Sequence, residues 1–233
     1  MKKILLATTL MAATAFTANA ATKSFNGAYL GAQAGFVKSK VKAEVTGEKL
    51  ANATNRGIST NVSRNSNGFL FGLYGGYGQN LNGFYVGGEM SILTDTAKRH
   101  VNSSGTDTSN DTYTASVKYK RGIVFGFAPR LGYIFGENLI YVKPGFEVSK
   151  DKATSDFTRN NAADPQSSAS KTAFEFTPSV GYERAMGKFI LRTEYTYNPG
   201  KTIAINDNSG TVTGAVKASY RDHRFVIGTA YKF

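Results

Sequence analysis

The sequence predicts an all-β protein, an eight-stranded antiparallel transmembrane β-barrel with short periplasmic turns and long extracellular loops. Three observations lead there. Eight segments alternate apolar with small or polar side chains at a period of two, which is the signature of a strand. The apolar face of all eight is without Asp, Glu, Lys or Arg, as lipid exposure demands, since Arg or Lys near the bilayer midplane costs about 2–4 kcal/mol. The connections between segments are alternately long and short, so the two kinds fall at opposite ends of the barrel.

The chain opens with a targeting pattern. Lys2 and Lys3 precede an apolar run from Ile4 to Phe16, and Ala18, Asn19 and Ala20 supply a small-residue cleavage signal. Residues 1–20 therefore read as a secretory signal peptide, which leaves 21–233 as one barrel domain. The run is shorter than the roughly 20 residues a spanning helix needs. With no Cys there is no disulfide framework, thiolate metal site or cysteine nucleophile. The formal charge of +12 implies attraction to anionic surfaces.

The first segment, 27–37, sets Ala28, Leu30, Ala32, Ala34 and Phe36 against Tyr29, Gly31, Gln33 and Gly35. The second, 68–78, sets Phe69, Phe71, Leu73 and Tyr77 against Leu70, Gly72, Tyr74 and Gly76. The third, 84–93, has Phe84, Val86, Met90 and Ile92 opposite Tyr85, Gly87, Glu89 and Ser91. The fourth, 122–135, carries Ile123, Phe125, Phe127, Pro129, Leu131 and Tyr133 on its apolar face. The fifth, 139–150, carries Ile140, Val142, Pro144, Phe146 and Val148. The sixth, 171–183, presents Phe174, Phe176, Pro178, Val180 and Tyr182, and the seventh, 189–197, presents Phe189, Leu191, Tyr195 and Tyr197. The last begins near Lys217 and ends with Phe225, Ile227, Thr229, Tyr231 and Phe233 on one side.

Short links are expected at 79–83, 136–138 and 184–188, and long polar connections at 38–67, 94–121, 151–170 and 198–216. Residues 112–120 alternate weakly and read as an extension of the fourth strand above the membrane. Residues 38–50 carry too many charges to add a strand in lipid. Pro129, Pro144 and Pro178 each remove a ladder donor and mark bulges or positions where no donor is needed. A secreted sandwich would also alternate, but it accounts poorly for an aromatic outer face that runs to the terminal Phe.

The face opposite lipid collects Arg130, Lys143, Arg192, Arg224 and Lys232 together with Glu89, Glu147, Glu175, Glu183 and Glu194. A small barrel has little room for water, so buried charges there must find partners. Equal numbers allow a plug of ion pairs, with Glu89, Glu147, Arg130 and Arg192 as its leading members. Glycines such as Gly72, Gly76, Gly87, Gly126, Gly181 and Gly228 leave space for long neighbours.

The stretches PRLGYIF, ENLIYVKPGFEV, FILRTEYTY and HRFVIGTAYKF resemble the small outer-membrane β-barrel family of Gram-negative bacteria, the OmpA-like or opacity-like surface antigens often called porin-family proteins. Arg130, Gly132 and Tyr133 fall on the family's Arg-Leu-Gly-Tyr hairpin, Tyr141 and Gly145 on the next strand, and Arg192, Glu194 and Tyr195 on its Arg-x-Glu-Tyr strand. Pro144 stands where the family usually has a glycine. The resemblance implies residence in the bacterial outer membrane and insertion by the outer-membrane assembly machinery, with Tyr231 and Phe233 in the terminal strand as its recognition signal.

The expected function is that of a monomeric surface barrel, structural or adhesive, with no cofactor, no metal and no nucleic-acid partner. Its partners are outer-membrane lipids and lipopolysaccharide, and host anionic glycans or matrix. The loop cations that would meet an anionic surface are Lys38, Lys40, Lys42, Arg56, Arg64, Lys98 and Arg99. A narrow channel for small solutes is the alternative. A lipid-modifying enzyme would have to use His100 or His223, and the Asp222–His223 neighbours point to opposite sides of a strand.

Overall fold

The structure, a computed structural model, describes residues 24–49, 58–106, 112–159, 162–163, 167–200, 202–207 and 212–233. The expected signal peptide lies outside the described residues. The strands are β1 (Gly27–Lys49), β2 (Ile58–Leu81), β3 (Phe84–Asp95), β4 (Arg99–Thr106), β5 (Thr112–Phe135), β6 (Asn138–Arg159), β7 (Ala162–Ala163), β8 (Ser167–Met186), β9 (Phe189–Asn198), β10 (Thr202–Asp207) and β11 (Val212–Lys232). All their pairings are antiparallel.

The ladder runs β1, β2, β3, β5, β6, β8, β9, β11 and returns to β1, which closes an eight-walled barrel. β4 continues the wall begun by β3, pairing with β5 above it, and β10 continues that of β9 along β11. Closure leaves no edge unpaired, which is what a sheet in lipid requires. The chain crosses from β2 to β3 at Asn82 and Gly83, from β5 to β6 at Gly136 and Glu137, and from β8 to β9 at Gly187 and Lys188. Asn82 (φ 53°) and Gly83 (φ 95°) are both left-handed. That is the pattern of a type I′ hairpin, whose twist matches the strands.

The expected segments are all present, but most are far longer than predicted. Six strands run for 20–24 residues, about twice the 9–11 that cross a bilayer. The stretches expected as long loops are therefore largely β-wall. Above the lipid both faces of a strand can be polar, so the apolar alternation stops while the ladder continues. Residues 112–120 extend the fourth wall as expected, being the first part of β5.

The outward face is apolar and exposed, with Leu30, Phe36, Phe69, Leu73, Met90, Phe125, Tyr133, Phe174, Phe225 and Ile227 among its side chains. Phe127, Phe146 and Phe174 stack along it at 5.3 and 5.6 Å between centroids. Pro144 stands opposite Pro178, and Pro129 opposite Gly88. Between β5 and β6 the pairing passes from Phe127–Phe146 to Leu131–Val142 with no partners between them. The proline level is thus a gap in that one ladder, with the register kept on either side. Higher up, a bulge between Arg121 and Val124 places Arg121 inside and Ile123 outside.

The inward glycines are spaces for tyrosine rings. A Cβ on Gly181 would lie 2.2 Å from the Tyr141 ring, and one on Gly76 would lie 2.5 Å from the Tyr29 hydroxyl. Below those rings, Phe25, Ile134, Leu139, Ala185, Ile190 and Ala230 pack as an apolar plug at the short-turn end.

Candidate functional site

The lumen is filled by two tiers of paired charge. The lower tier is built on β3, β5, β6, β8 and β9. Arg192 donates from Nη1 and Nη2 to the two oxygens of Glu89, both at 2.8 Å, and from Nη2 to Glu194 at 2.8 Å. Lys143 Nζ bridges the same two carboxylates at 2.9 and 2.7 Å. Arg130 pairs with Glu183 at 2.8 Å and donates to the Tyr29 hydroxyl at 2.7 Å, which in turn donates to Glu89 at 3.1 Å. The guanidinium carbons of Arg130 and Arg192 stand 3.9 Å from the ring centres of Tyr141 and Tyr74. Planar cations over aromatic faces gain attraction that grows with desolvation.

The upper tier begins with Arg224, whose Nη1 and Nη2 donate to Glu147 at 2.8 and 2.9 Å. Such bidentate pairing restrains direction as well as distance. Arg121 donates to Glu147 at 3.0 Å and to Glu175 at 2.8 Å, and Glu175 also accepts from Asn198 and Tyr220. Above them Arg99 joins Asp95 (2.9 Å) to Asp222 (3.0 Å), while its Nε donates to Ser39 at 2.9 Å. Asp151 accepts from Tyr119 and Ser149.

Between the tiers Leu70, Leu93, Val124 and Val226 form an apolar layer. Beside it lies a cavity of about 30 Å³ lined by Gln33, Ser91, Lys143, Glu147, Ser179 and Arg224 among others. One or two water molecules are what that volume accepts.

Of the residues expected to form the interior set, Glu89, Arg130, Glu147, Glu175, Glu183, Arg192, Glu194 and Arg224 are buried and Lys143 is half-buried. The structure splits them between the two tiers and does not bring them into one cluster. Lys232 occupies an inward position opposite Tyr29 at the short-turn end and is half-buried. Arg121, Asp151 and Asp222 belong to the upper tier, although the sequence placed them in or beside the long connections. A signal exists for two of them, since Asp151 and Asp222 share parity with the inward residues of their strands, whereas Arg121 is turned inward only by the bulge that precedes Val124.

Lys38, Lys40, Lys42, Arg64 and Lys98 are exposed, and Arg56 lies outside the described residues. Arg99 is a correction. It was expected as an exposed loop cation, yet it is 2% exposed. β4 turns it inward over the mouth, where it lies between two carboxylates. Burial works against its charge, but Asp222 and Asp95 more than offset this and raise its pKa above the usual arginine value. Tyr119 and Tyr220, also above the apolar band, are held protonated well beyond the ordinary phenol range, chiefly by burial.

Asp222 is fully buried while His223 points outward, where its Nδ1 lies 2.7 Å from the Tyr195 hydroxyl. Tyr231 and Phe233 face outward at the short-turn end with their rings 5.4 Å apart. Among the described residues no group of three or more His, Asp or Glu side chains is arranged to hold a metal ion.

A closed eight-walled barrel with an apolar outside and a charge-filled inside is the architecture of an outer-membrane protein. The chain belongs to the outer membrane protein beta-barrel domain family, whose model matches residues 7–233. It is a bacterial outer-membrane β-barrel, with its short turns periplasmic and its extended walls extracellular. Among solved structures, Neisserial surface protein A is similar at 14% identity, with 85% of this chain and 97% of that chain covered and a TM-score of 0.37. The attachment invasion locus protein Ail of Yersinia pestis, in complex with the heparin analogue sucrose octasulfate, is 13% identical over 87% and 99% of the two chains, with a TM-score of 0.32. The outer membrane protease OmpT from Escherichia coli is 9% identical over 95% and 99%, with a TM-score of 0.49. No curated protein matches the chain.

Proposed function

We propose that this protein is a non-conducting surface barrel whose extended basic walls bind anionic glycan or matrix outside the cell. The lumen is the observation that carries the first half of the reading. Two tiers of bridged charges cross it, and the space between them is a cavity of about 30 Å³. A conducting path would have to break several charge-assisted hydrogen bonds in each tier, at about 1.5–3 kcal/mol apiece. The exposed Lys42, on the outward face of the β1–β2 wall, and the exposed Arg64, on its inward face, supply cations beyond the lipid, and a positive field of this kind speeds encounter with polyanions.

Non-enzymatic action belongs to the same reading. Asp222 turns inward and His223 outward, so neither can orient the other for proton transfer. Tyr231 and Phe233 serve in assembly, as the aromatic end of the closing strand.

A narrow channel is the second reading, favoured by Lys143, which lines the cavity on a flexible stem. Full-length protein refolded in detergent and placed in planar bilayers decides between them. The closed barrel gives no discrete conductance steps, and reproducible steps overturn it. On the same sample, heparin binding is expected to weaken as salt rises and to fall in Lys42→Gln/Arg64→Gln. Heparin binding unchanged in that variant removes the glycan-binding role from this wall. Lipid A incubated with the protein is expected to keep its mass.

A further inference from the structure

Just above the apolar band, the outward faces of two strand pairs carry cations set directly against each other. On β1 and β11, Lys40 is registered opposite Arg221, with Lys38 opposite His223 one outward position lower. On β5 and β6, Lys120 is registered opposite Lys152, with Lys150 the next outward residue down. All seven side chains are exposed. They follow directly on Phe36, Phe225, Ile123 and Val148, the last apolar outward residues of their strands. β2 and β3 separate the two pairs on one side of the barrel and β8 and β9 on the other, so the pairs stand on opposite flanks.

Side chains directly opposed across a ladder have Cβ atoms about 4.5–5.5 Å apart, and like charges there are destabilising. The inward faces of these same strands pair their cations with carboxylates. Outside, no carboxylate among the described residues lies within ion-pairing distance of Lys40, Arg221, Lys120 or Lys152. On β6 the outward Asp156 is engaged by Lys118 at 3.0 Å. The repulsion is therefore left standing twice, at the height where the phosphorylated headgroups of the outer leaflet meet the barrel wall. A phosphate brings about two negative charges and several acceptor oxygens, which suits two adjacent cations.

We propose that Lys40 with Arg221, and Lys120 with Lys152, are two seats for the phosphate groups of lipopolysaccharide on opposite flanks of the barrel. Lys38 and Lys150, one outward position lower, lie within reach of the same headgroups. The inference rests on the outer-membrane placement of the barrel and is independent of whether its lumen conducts. It also divides the cations by height. The opposed pairs engage the protein's own membrane, and Lys42 and Arg64 face partners beyond it.

The test uses full-length refolded protein, with bisphosphorylated lipid A and chemically dephosphorylated lipid A as probes, and counts bound lipid by native mass spectrometry from detergent. Three variants are compared: Lys40→Gln/Arg221→Gln, Lys120→Gln/Lys152→Gln, and the four changes combined. Because each change relieves repulsion, all three are expected to keep heat-modifiable gel migration, which verifies folding. Wild type is expected to retain two bisphosphorylated lipids, each double variant one, and the combined variant none, with the dephosphorylated lipid not retained. Equal retention of the two lipids by wild type overturns the proposal, as does undiminished retention in the folded combined variant. Loss of heparin binding in the combined variant with lipid A retention intact also overturns it, by moving the pairs to a soluble polyanion.

Discussion

Neighbouring residues on one strand carry their charges into opposite circumstances. Arg121 is buried between Glu147 and Glu175, whereas Lys120, one residue earlier, is exposed opposite Lys152. Asp222 is fully buried against Ser39 and Arg99, whereas Arg221 beside it faces outward opposite Lys40. The inner face is a lattice of bridged charges, in which Arg121, Arg130, Arg192 and Arg224 each meet a carboxylate. The outer face is open and carries unbalanced charge. Side-chain direction on the strand chooses between them, so one wall can be closed within and open to partners without.

The contrast breaks most sharply at Arg192. Arg192→Leu leaves Glu89 and Glu194 buried with Lys143 as their remaining bridge, and removing one partner of a buried pair costs about 3–5 kcal/mol. Urea unfolding in detergent, read by heat-modifiable migration, should show that loss, and adding Glu89→Gln should restore part of it because the two sites are coupled. Next in size is Gly181→Val, which drives a side chain into Tyr141. Overpacking of this kind costs about 1–3 kcal/mol, visible in the same assay.

Arg99→Gln unties Asp95 from Asp222 at the mouth. Its expected cost is about 1–3 kcal/mol, confined to the extracellular end, so hydrogen exchange should quicken in β4 while the lower tier stays protected.

A pH test follows from Tyr119 and Tyr220, both raised from the ordinary 10.0 by burial. Below pH about 10 both are neutral in the folded and unfolded chain and add no pH dependence. Above it the unfolded phenols lose protons that the folded ones keep, so stability falls as pH rises. Absorbance at alkaline pH should show these two phenols titrating only on unfolding. Smallest of all is Lys42→Gln on the outer face, expected to change stability by no more than about 0.5 kcal/mol while lowering heparin binding.

The strand count, the sidedness of each segment and the membership of the lower tier were all legible in the sequence. They depend on a period-two pattern that lipid enforces residue by residue. The length of the walls was not legible, because beyond the lipid no apolar requirement marks the continuing ladder. Arg99 illustrates the limit. Its neighbours Lys98 and His100 are also basic, and nothing local says that Asp222, far along the chain, will be waiting inside the mouth.

By itself, then, the sequence determined that this chain forms a lipid-facing barrel with charge on its inner face, since both follow from which side chains may meet hydrocarbon. Only the tertiary structure decided how those charges divide into two tiers, that Arg99 and Arg121 close the upper one, and that Lys40 meets Arg221 and Lys120 meets Lys152. Those outcomes depend on register between strands distant in sequence, and register is set by closure of the whole barrel.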